Sequence, residues 1–446
     1  MTESSPEQPV TSDETSAPPR RWLERLKINQ FRSVEPGTEL RFSDGLHVVL
    51  GKNATGKSTL LDLIAAALDL DFDQPRFRHE PLDLEFVLRA GPYEIEAAVK
   101  RIVNPETPRR GVRRKETPDS GMREEGRYTV RAPGALEITV VLASNELPKR
   151  LVNEVDAAKY GAYDVPVRLH QTPPLAPTWN SMSVFWLRFW ARQAAVAELF
   201  EQYPFETAHV AFLVRMFESD ELLEAVESDK FEVCIRESIQ SYPRVLPNDI
   251  LVSLPTDGSP IDASLEGEPM LAKFVHEIGF DEARLFFGPP RVERQWGSDT
   301  FVYSKPTFTF HRNGRLARRG DQLSYGQRRL FALAWYLACN KEIAILDEPS
   351  NGLHESWVEF LVSQLQGRQV FLTSQNRELL DMLPFHSENE LARGFVLCES
   401  RPQPQGGEPT LHWRGLRDEE AELMIKAFRA SRVDLVTDLL RGLNLW

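Results

Sequence analysis

The chain has 446 residues, enough for two or three domain-sized units, with 41% hydrophobic residues and a formal net charge of −13. That charge argues against a surface coated uniformly in nucleic acid, and the longest apolar runs, such as LFALAWYLA at 330–338, fall well short of the roughly 20 residues a membrane span needs. Three single cysteines, Cys234, Cys339 and Cys398, with no CxxC pair, argue against a zinc site or a disulfide framework and read as buried reduced thiols.

Residues 1–21 are polar, acidic and rich in Pro, Ser and Thr, with no apolar stretch of the signal-peptide kind; they read as a disordered tail on a cytoplasmic protein. Residues 22–144 read as a first lobe. LERLKINQF and TELRFSDGLHVVLG have the spacing of strands, a helix is predicted over 57–69, and 82–103 alternate around Gly91-Pro92 as a hairpin. A Pro/Arg-rich loop is predicted over 104–126, after which RYTVRAPGALEITVVLA returns as strands. Residues 145–285 show helix-compatible patterns without a sustained heptad and read as a helical insertion. The span 286–446 reads as a second lobe. It opens on a hairpin at 307–319 with an Asn313-Gly314 turn, and then alternates helix and strand: YGQRRLFALAWYLACN, IAILDE, SWVEFLVSQLQ, QVFLTS, RELLDML. The alternation predicts a mainly parallel sheet and an α/β fold.

Gly51, Gly56, Lys57 and Ser58 satisfy G-x-x-x-x-G-K-[ST] between a strand ending at Leu50 and a helix opening at Lys57. Glycines let such a loop wind tightly, so that its N–H groups, together with those of Lys52 and Asn53, face phosphate oxygens at a helix N-terminus. Lys57 is expected to reach the β- and γ-phosphates of ATP, Ser58 to ligate Mg2+, and Thr59 to assist at the α-phosphate. In IAILDEPSNGLHE (343–355) a buried strand carries Asp347 to the sheet edge, where it can hold Mg2+ through water. Glu348, one residue on, can polarise the attacking water.

LSYGQ (323–327) resembles the signature motif of ABC-type ATPases, usually written LSGGQ, and stands just before the ILDEP strand as in that superfamily. The long interval between GKNATGKS and LSYGQ, the opening LKINQFRSVE and the segment DEPSNGLHE resemble the SMC/RecF/OLD-like branch, whose members work on DNA or in phage defence. The resemblance implies a P-loop NTPase of ABC type: a two-lobed mixed sheet with an antiparallel lobe and a helical insertion. It places Arg32 and Ser33 near the nucleotide. It also implies an ATP-dependent two-fold dimer in which Ser324, Tyr325, Gly326 and Gln327 of one subunit cover the ATP of the other, with 350–354 at the interface. The family's histidine after the next strand is here Gln375, which can hydrogen-bond a γ-phosphate but cannot carry charge, so slow or partner-stimulated hydrolysis is expected. Gln171 is the candidate for the family's Q-loop glutamine. The residues after Gln375 do not read as the Toprim nuclease of OLD-type relatives.

The basic run Arg109, Arg110, Arg113, Arg114 and Lys115 is a candidate DNA contact, although Glu106, Glu116, Asp119, Glu124 and Glu125 cancel much of its charge and a solvated loop is the alternative. Arg312, Arg315, Arg318 and Arg319 form a second basic cluster, open between DNA, the partner's nucleotide and plain structural pairing. The acidic stretch 217–232 suits a solvated face or a basic effector protein, and the aromatic run at 184–193 suits a helix-packing core. These features favour a DNA-associated or effector-controlling ATP switch in repair or defence. A transporter's ATP-binding subunit and a protein-binding module without DNA contact are the alternatives.

Overall fold

The computed structural model describes residues 21–69, 72, 77, 80–90, 93–103, 122–131, 137–143, 149–152, 232–236, 246–247, 250, 255, 257–295, 298–304, 306–385, 387–403, 407–430 and 436–443. In chain order the elements begin with β1 (Arg21–Phe31), β2 (Thr38–Arg41), β3 (Leu46–Leu50), α1 (Lys57–Asp69), β4 (Leu82–Ala90), β5 (Tyr93–Val103), β6 (Met122–Arg131), β7 (Glu137–Ala143) and β8 (Lys149–Val152). Next come β9 (Glu232–Arg236), β10 (Ile261–Ser264), α2 (Pro269–Glu277), β11 (Glu282–Phe287), β12 (Arg291–Gln295), β13 (Ser298–Ser304), β14 (Thr307–Arg312) and β15 (Arg315–Arg319). The last are α3 (Tyr325–Cys339), β16 (Ile343–Asp347), α4 (Glu355–Leu365), β17 (Gln369–Thr373), α5 (Arg377–Met382), α6 (Glu388–Arg393), β18 (Phe395–Arg401), β19 (Thr410–Gly415), α7 (Asp418–Ala430) and α8 (Val436–Gly442).

The first lobe is a seven-stranded antiparallel sheet, β2-β1-β4-β5-β6-β7-β8. Period-2 alternation in β4 sends Leu82, Leu84, Phe86 and Leu88 into a core shared with Leu60, Leu61 and Ile64 of α1. Its intervening Asp83 and Glu85 pair with Lys100 and Lys27 at the surface. The second sheet, β16-β17-β3-β18-β19, is parallel from β16 to β18 and antiparallel only at β19. Its β16 and β17 read as unbroken apolar runs because both faces are covered, which is the burial that parallel strands require. Gln369 staples the two sheets: its amide nitrogen donates to Leu23 O and Ser43 O, at 2.8 and 2.6 Å, and its carbonyl accepts from Leu23 N–H at 2.8 Å.

Three sequence expectations change. Residues 232–236, expected in a helix, form β9 and pair with β13, Cys234 opposite Val302. Residues 261–285, expected in the helical insertion, carry β10, α2 and most of β11, and these strands join β14 and β15 in one sheet. The alternation of Ala283, Leu285 and Phe287 onto one buried face explains why β11 is a strand. Residues 122–126, expected in a loop, open β6. The rest of the stretch expected to be helical, with Gln171, the aromatic run and nearly all of the acidic stretch, lies outside the described residues, as do residues 1–20 and the basic run 109–115. The Asn313-Gly314 hairpin is as expected, with φ of +53° and +68° at its two turn residues. Among the described residues no helix is long and apolar enough to cross a membrane.

Candidate functional site: a phosphate loop facing an acidic strand end

β3 and β16 flank β17 in the parallel sheet, so the loop after β3 and the acidic end of β16 open at the same carboxyl edge. The loop is wound through left-handed backbone at Ala54 (φ +64°) and Gly56 (φ +84°), with Gly51 at φ +153°. Gly51 admits no side chain, since a Cβ there would lie 2.3 Å from the Cys398 carbonyl oxygen. Thr55 is buried and its hydroxyl donates to Lys52 O at 2.8 Å, closing the turn on itself. Lys57 Nζ arches back to donate to Gly51 O (2.9 Å) and Lys52 O (3.2 Å), which holds the ammonium over the loop.

The expected Mg2+ pair meets directly: Ser58 Oγ donates to Asp347 Oδ2 at 2.6 Å, across 289 residues of sequence. Thr373, the register partner of Asp347 on β17, donates its hydroxyl to Asp347 Oδ1 and accepts from Glu348 N–H at 3.0 Å. Glu348 sits at φ +49°, a strained position for a side chain of this kind. Its Oε2 accepts from Gln375 N–H at 3.1 Å, while its Oε1 is buried with no hydrogen-bond partner among the described residues. Burial pushes the Glu348 carboxyl above the usual carboxylate range and Asp347 adds to this; the Gln375 amide and Lys57 pull it back. The Gln375 side chain in turn donates to Asn53 Oδ1 at 2.9 Å, so it bridges the phosphate loop and the acidic strand end.

The signature residues stand at the start of α3. Ser324 caps this helix, accepting from Gln327 N–H at 3.3 Å while Gln327 Oε1 accepts from Ser324 N–H at 3.0 Å, a reciprocal capping box. Tyr325 is 61% exposed. A Cβ at Gly352 would lie 3.0 Å from its ring, and a Cβ at Gly326 would lie 2.8 Å from Trp357, so the signature packs closely on the 350–354 segment of its own chain. Arg32 takes a left-handed φ of +47°, bonds Glu80 through Nε at 2.8 Å and lies over the Phe31 ring; the carbonyl of Ser33 accepts from Leu411 N–H at 2.8 Å. Arg312 is a structural residue, its Nε donating to Gly279 O at 2.9 Å, whereas Arg315, Arg318 and Arg319 are exposed on β15.

Sequence reasoning did not find Thr373, Arg329 or Trp413. Thr373 is announced only by β-sheet register. Arg329, buried one turn after Tyr325, donates to Glu348 O at 3.0 Å and tethers the signature helix to the acidic strand end; an arginine inside the apolar run of α3 was its one signal. Trp413 donates its indole N–H to Thr55 O at 3.1 Å, 358 positions away, and no local pattern marks it.

Residues 213–381 match the family model described as "AAA domain, putative AbiEii toxin, Type IV TA system", and residues 25–118 match one described as "AAA domain". No curated protein matches the chain. Similar solved structures include the SMC head domain from Thermotoga maritima (11% identity, 89% of this chain and 99% of that one, TM-score 0.34). A Pyrococcus furiosus Smc head domain with an extended coiled coil, bound to the C-terminal domain of ScpA, aligns at 12% identity over 92% and 100% of the two chains, TM-score 0.33. The recombination mediator protein RecF aligns at 15% identity over 81% and 95%, TM-score 0.32. The two AAA-domain matches hold the two halves of one site: the phosphate loop Gly51–Ser58 lies in 25–118, the segment 323–327 with Asp347 and Glu348 lies in 213–381, and Ser58 meets Asp347 between them.

Proposed function

We propose that the chain binds ATP with Mg2+, hydrolyses it slowly, and alternates between an ATP-bound two-fold dimer and separate subunits. The carrying observation is the 2.6 Å contact of Ser58 with Asp347, which brings the start of α1 against the carboxylate at the end of β16. That pair suits Mg2+, which takes one or two protein oxygens and fills its octahedron with water and phosphate oxygens. Once bound, the ion supplies neutralisation of phosphate charge. Lys57 exchanges its loop carbonyls for phosphate oxygens. Glu348 Oε1, buried and without a partner among the described residues, would accept a hydrogen bond from an attacking water, and Gln375 would donate one to the terminal phosphate.

The dimer acts as a cytoplasmic switch that clamps DNA or controls an effector protein in repair or defence. The likeness of residues 213–381 to the AAA-domain family of the putative AbiEii toxin of a Type IV TA system supports this direction over a transporter subunit. Phosphate release and light scattering, each with and without ATP, test the reading. Lys57→Ala is expected to abolish ATP binding. Glu348→Gln is expected to slow phosphate release by roughly 100-fold or more and to double the mass in ATP. Turnover by Glu348→Gln equal to that of the native protein would overturn it.

A further inference from the structure

The C-terminal hairpin β18–β19 lies outside both matched family ranges, yet it carries the floor of the phosphate loop. Trp413 is 2% exposed and donates its indole N–H to the Thr55 carbonyl at 3.1 Å. A Cβ at Gly56 would lie 2.8 Å from Leu411 and 3.0 Å from the Trp413 ring, so the loop rests directly on these two side chains. The same strand grips the turn after β1: Leu411 N–H donates to Ser33 O at 2.8 Å, Leu411 O accepts from Glu35 N–H at 2.9 Å, and His412 contacts the Glu35 carboxylate.

A trans peptide is planar, and its C=O and N–H point in opposite directions. The Thr55 carbonyl and the Gly56 N–H belong to one such plane. With the carbonyl drawn down onto Trp413, the Gly56 N–H is turned the other way, out of the floor. We propose that Trp413 is a positioning residue for nucleotide binding: its indole N–H fixes the Thr55–Gly56 peptide so that the loop's amides converge on the nucleotide's phosphates. The same strand registers the Arg32–Glu35 turn against the loop. This inference rests on the ATP-binding reading above and adds to it a residue distant in sequence from every motif.

The test compares the native protein with Trp413→Phe, which keeps most of the ring volume and removes the donor. Calorimetric titrations with ATP and with inorganic tripolyphosphate are expected to show both bound about tenfold more weakly by Trp413→Phe, the usual effect of losing one hydrogen bond at such a site. The loss should be equal for the two, because the change acts on the phosphate cradle. kcat at saturating ATP should change less than KM. Hydrogen exchange followed by mass spectrometry, without nucleotide, should be faster for the 51–58 peptide of the variant while the β4–β5 peptides are unchanged. A folded Trp413→Phe with native affinity and native exchange at 51–58 would overturn the proposal while leaving ATP binding intact. Failure of the native protein to bind ATP would instead remove the reading on which it rests, and the proposal with it. Should the variant not fold, 15N-indole spectra of the native protein decide: one of its nine tryptophan signals must shift on ATP addition, and none shifting would overturn the proposal.

Discussion

Gln375 occupies a position of double duty: its backbone N–H holds Glu348 Oε2 and its side chain holds Asn53 Oδ1. A histidine there could place positive charge beside the terminal phosphate, which glutamine cannot. Gln375→His is therefore expected to raise kcat several-fold as the pH falls toward about 6.5, where imidazole charges. The native protein should show no such rise over the same range. Parallel pH–rate profiles for the two proteins would sink the idea. Ala54 offers a second residue-level test. Left-handed backbone costs a residue with a Cβ about 1–2 kcal/mol, and Ala54 sits at φ +64° in the phosphate loop. Ala54→Gly removes that strain but loosens the unfolded chain by about 0.5–1 kcal/mol. The net gain should be about 0.5–1 kcal/mol, read as a higher denaturant midpoint.

At the scale of elements, β3 and β17 are held by side chains as much as by their ladder. Gln369 makes three hydrogen bonds to backbone groups of Leu23 and Ser43. Gln369→Leu keeps the bulk and orphans the two buried groups of Leu23, at about 1–3 kcal/mol each, so a loss of at least about 2 kcal/mol is expected in urea melts. His47 on β3 is fully buried and stacked on Phe371. Its Nδ1 lies 3.1 Å from Arg393 O, and its Nε2 lies 3.2 Å from Ser43 N and 3.0 Å from Ser43 O. Burial is the main cause that lowers its pKa below the ordinary value near 6.5. The unfolded chain then binds the proton more readily than the native one. The His47 contribution to stability is complete above about pH 6.5 and is lost as the pH falls below it, by up to about 1.4 kcal/mol per unit. Stability of His47→Phe should lack that slope.

These strands also show what the sequence could and could not convey. Periodic burial made β4, β5 and β14 legible, and glycine spacing made the loop after β3 legible, because both are local patterns. The meeting of Ser58 with Asp347 followed from the motifs' known roles. The pairing of Thr373 with Asp347 depends on β-sheet register, and Gln369 with Leu23 and Trp413 with Thr55 depend on contacts across more than 340 residues. No spacing rule encodes those, since each is a single side chain reaching a backbone group of another element. The strands β9, β10 and β11 were hidden for a related reason. A short run such as EVCIR carries both helical and strand periodicity, and its pairing with β13 decided the outcome.

For the whole molecule, the question is whether the signature completes a site in its own chain or in a second copy. Ser324 and Gln327 satisfy each other in the capping box, and Gly326 is packed on Trp357. Tyr325, at the same helix N-terminus, leaves 61% of its surface open. A helix N-terminus carrying an exposed aromatic suits a phosphate-bearing partner surface, where partial positive charge meets the anion. In the proposed sandwich, Tyr325 is therefore at the seam. Tyr325→Glu would set a carboxylate against the partner's phosphates. In a Glu348→Gln background, which is expected to trap the dimer, the added Tyr325→Glu should return the protein to monomer mass in ATP on light scattering. Its monomer should still bind ATP with native affinity, because the phosphate loop is untouched. If the double variant stays dimeric, the signature is not at the interface. If it loses ATP binding as a monomer, Tyr325 serves the site of its own chain instead.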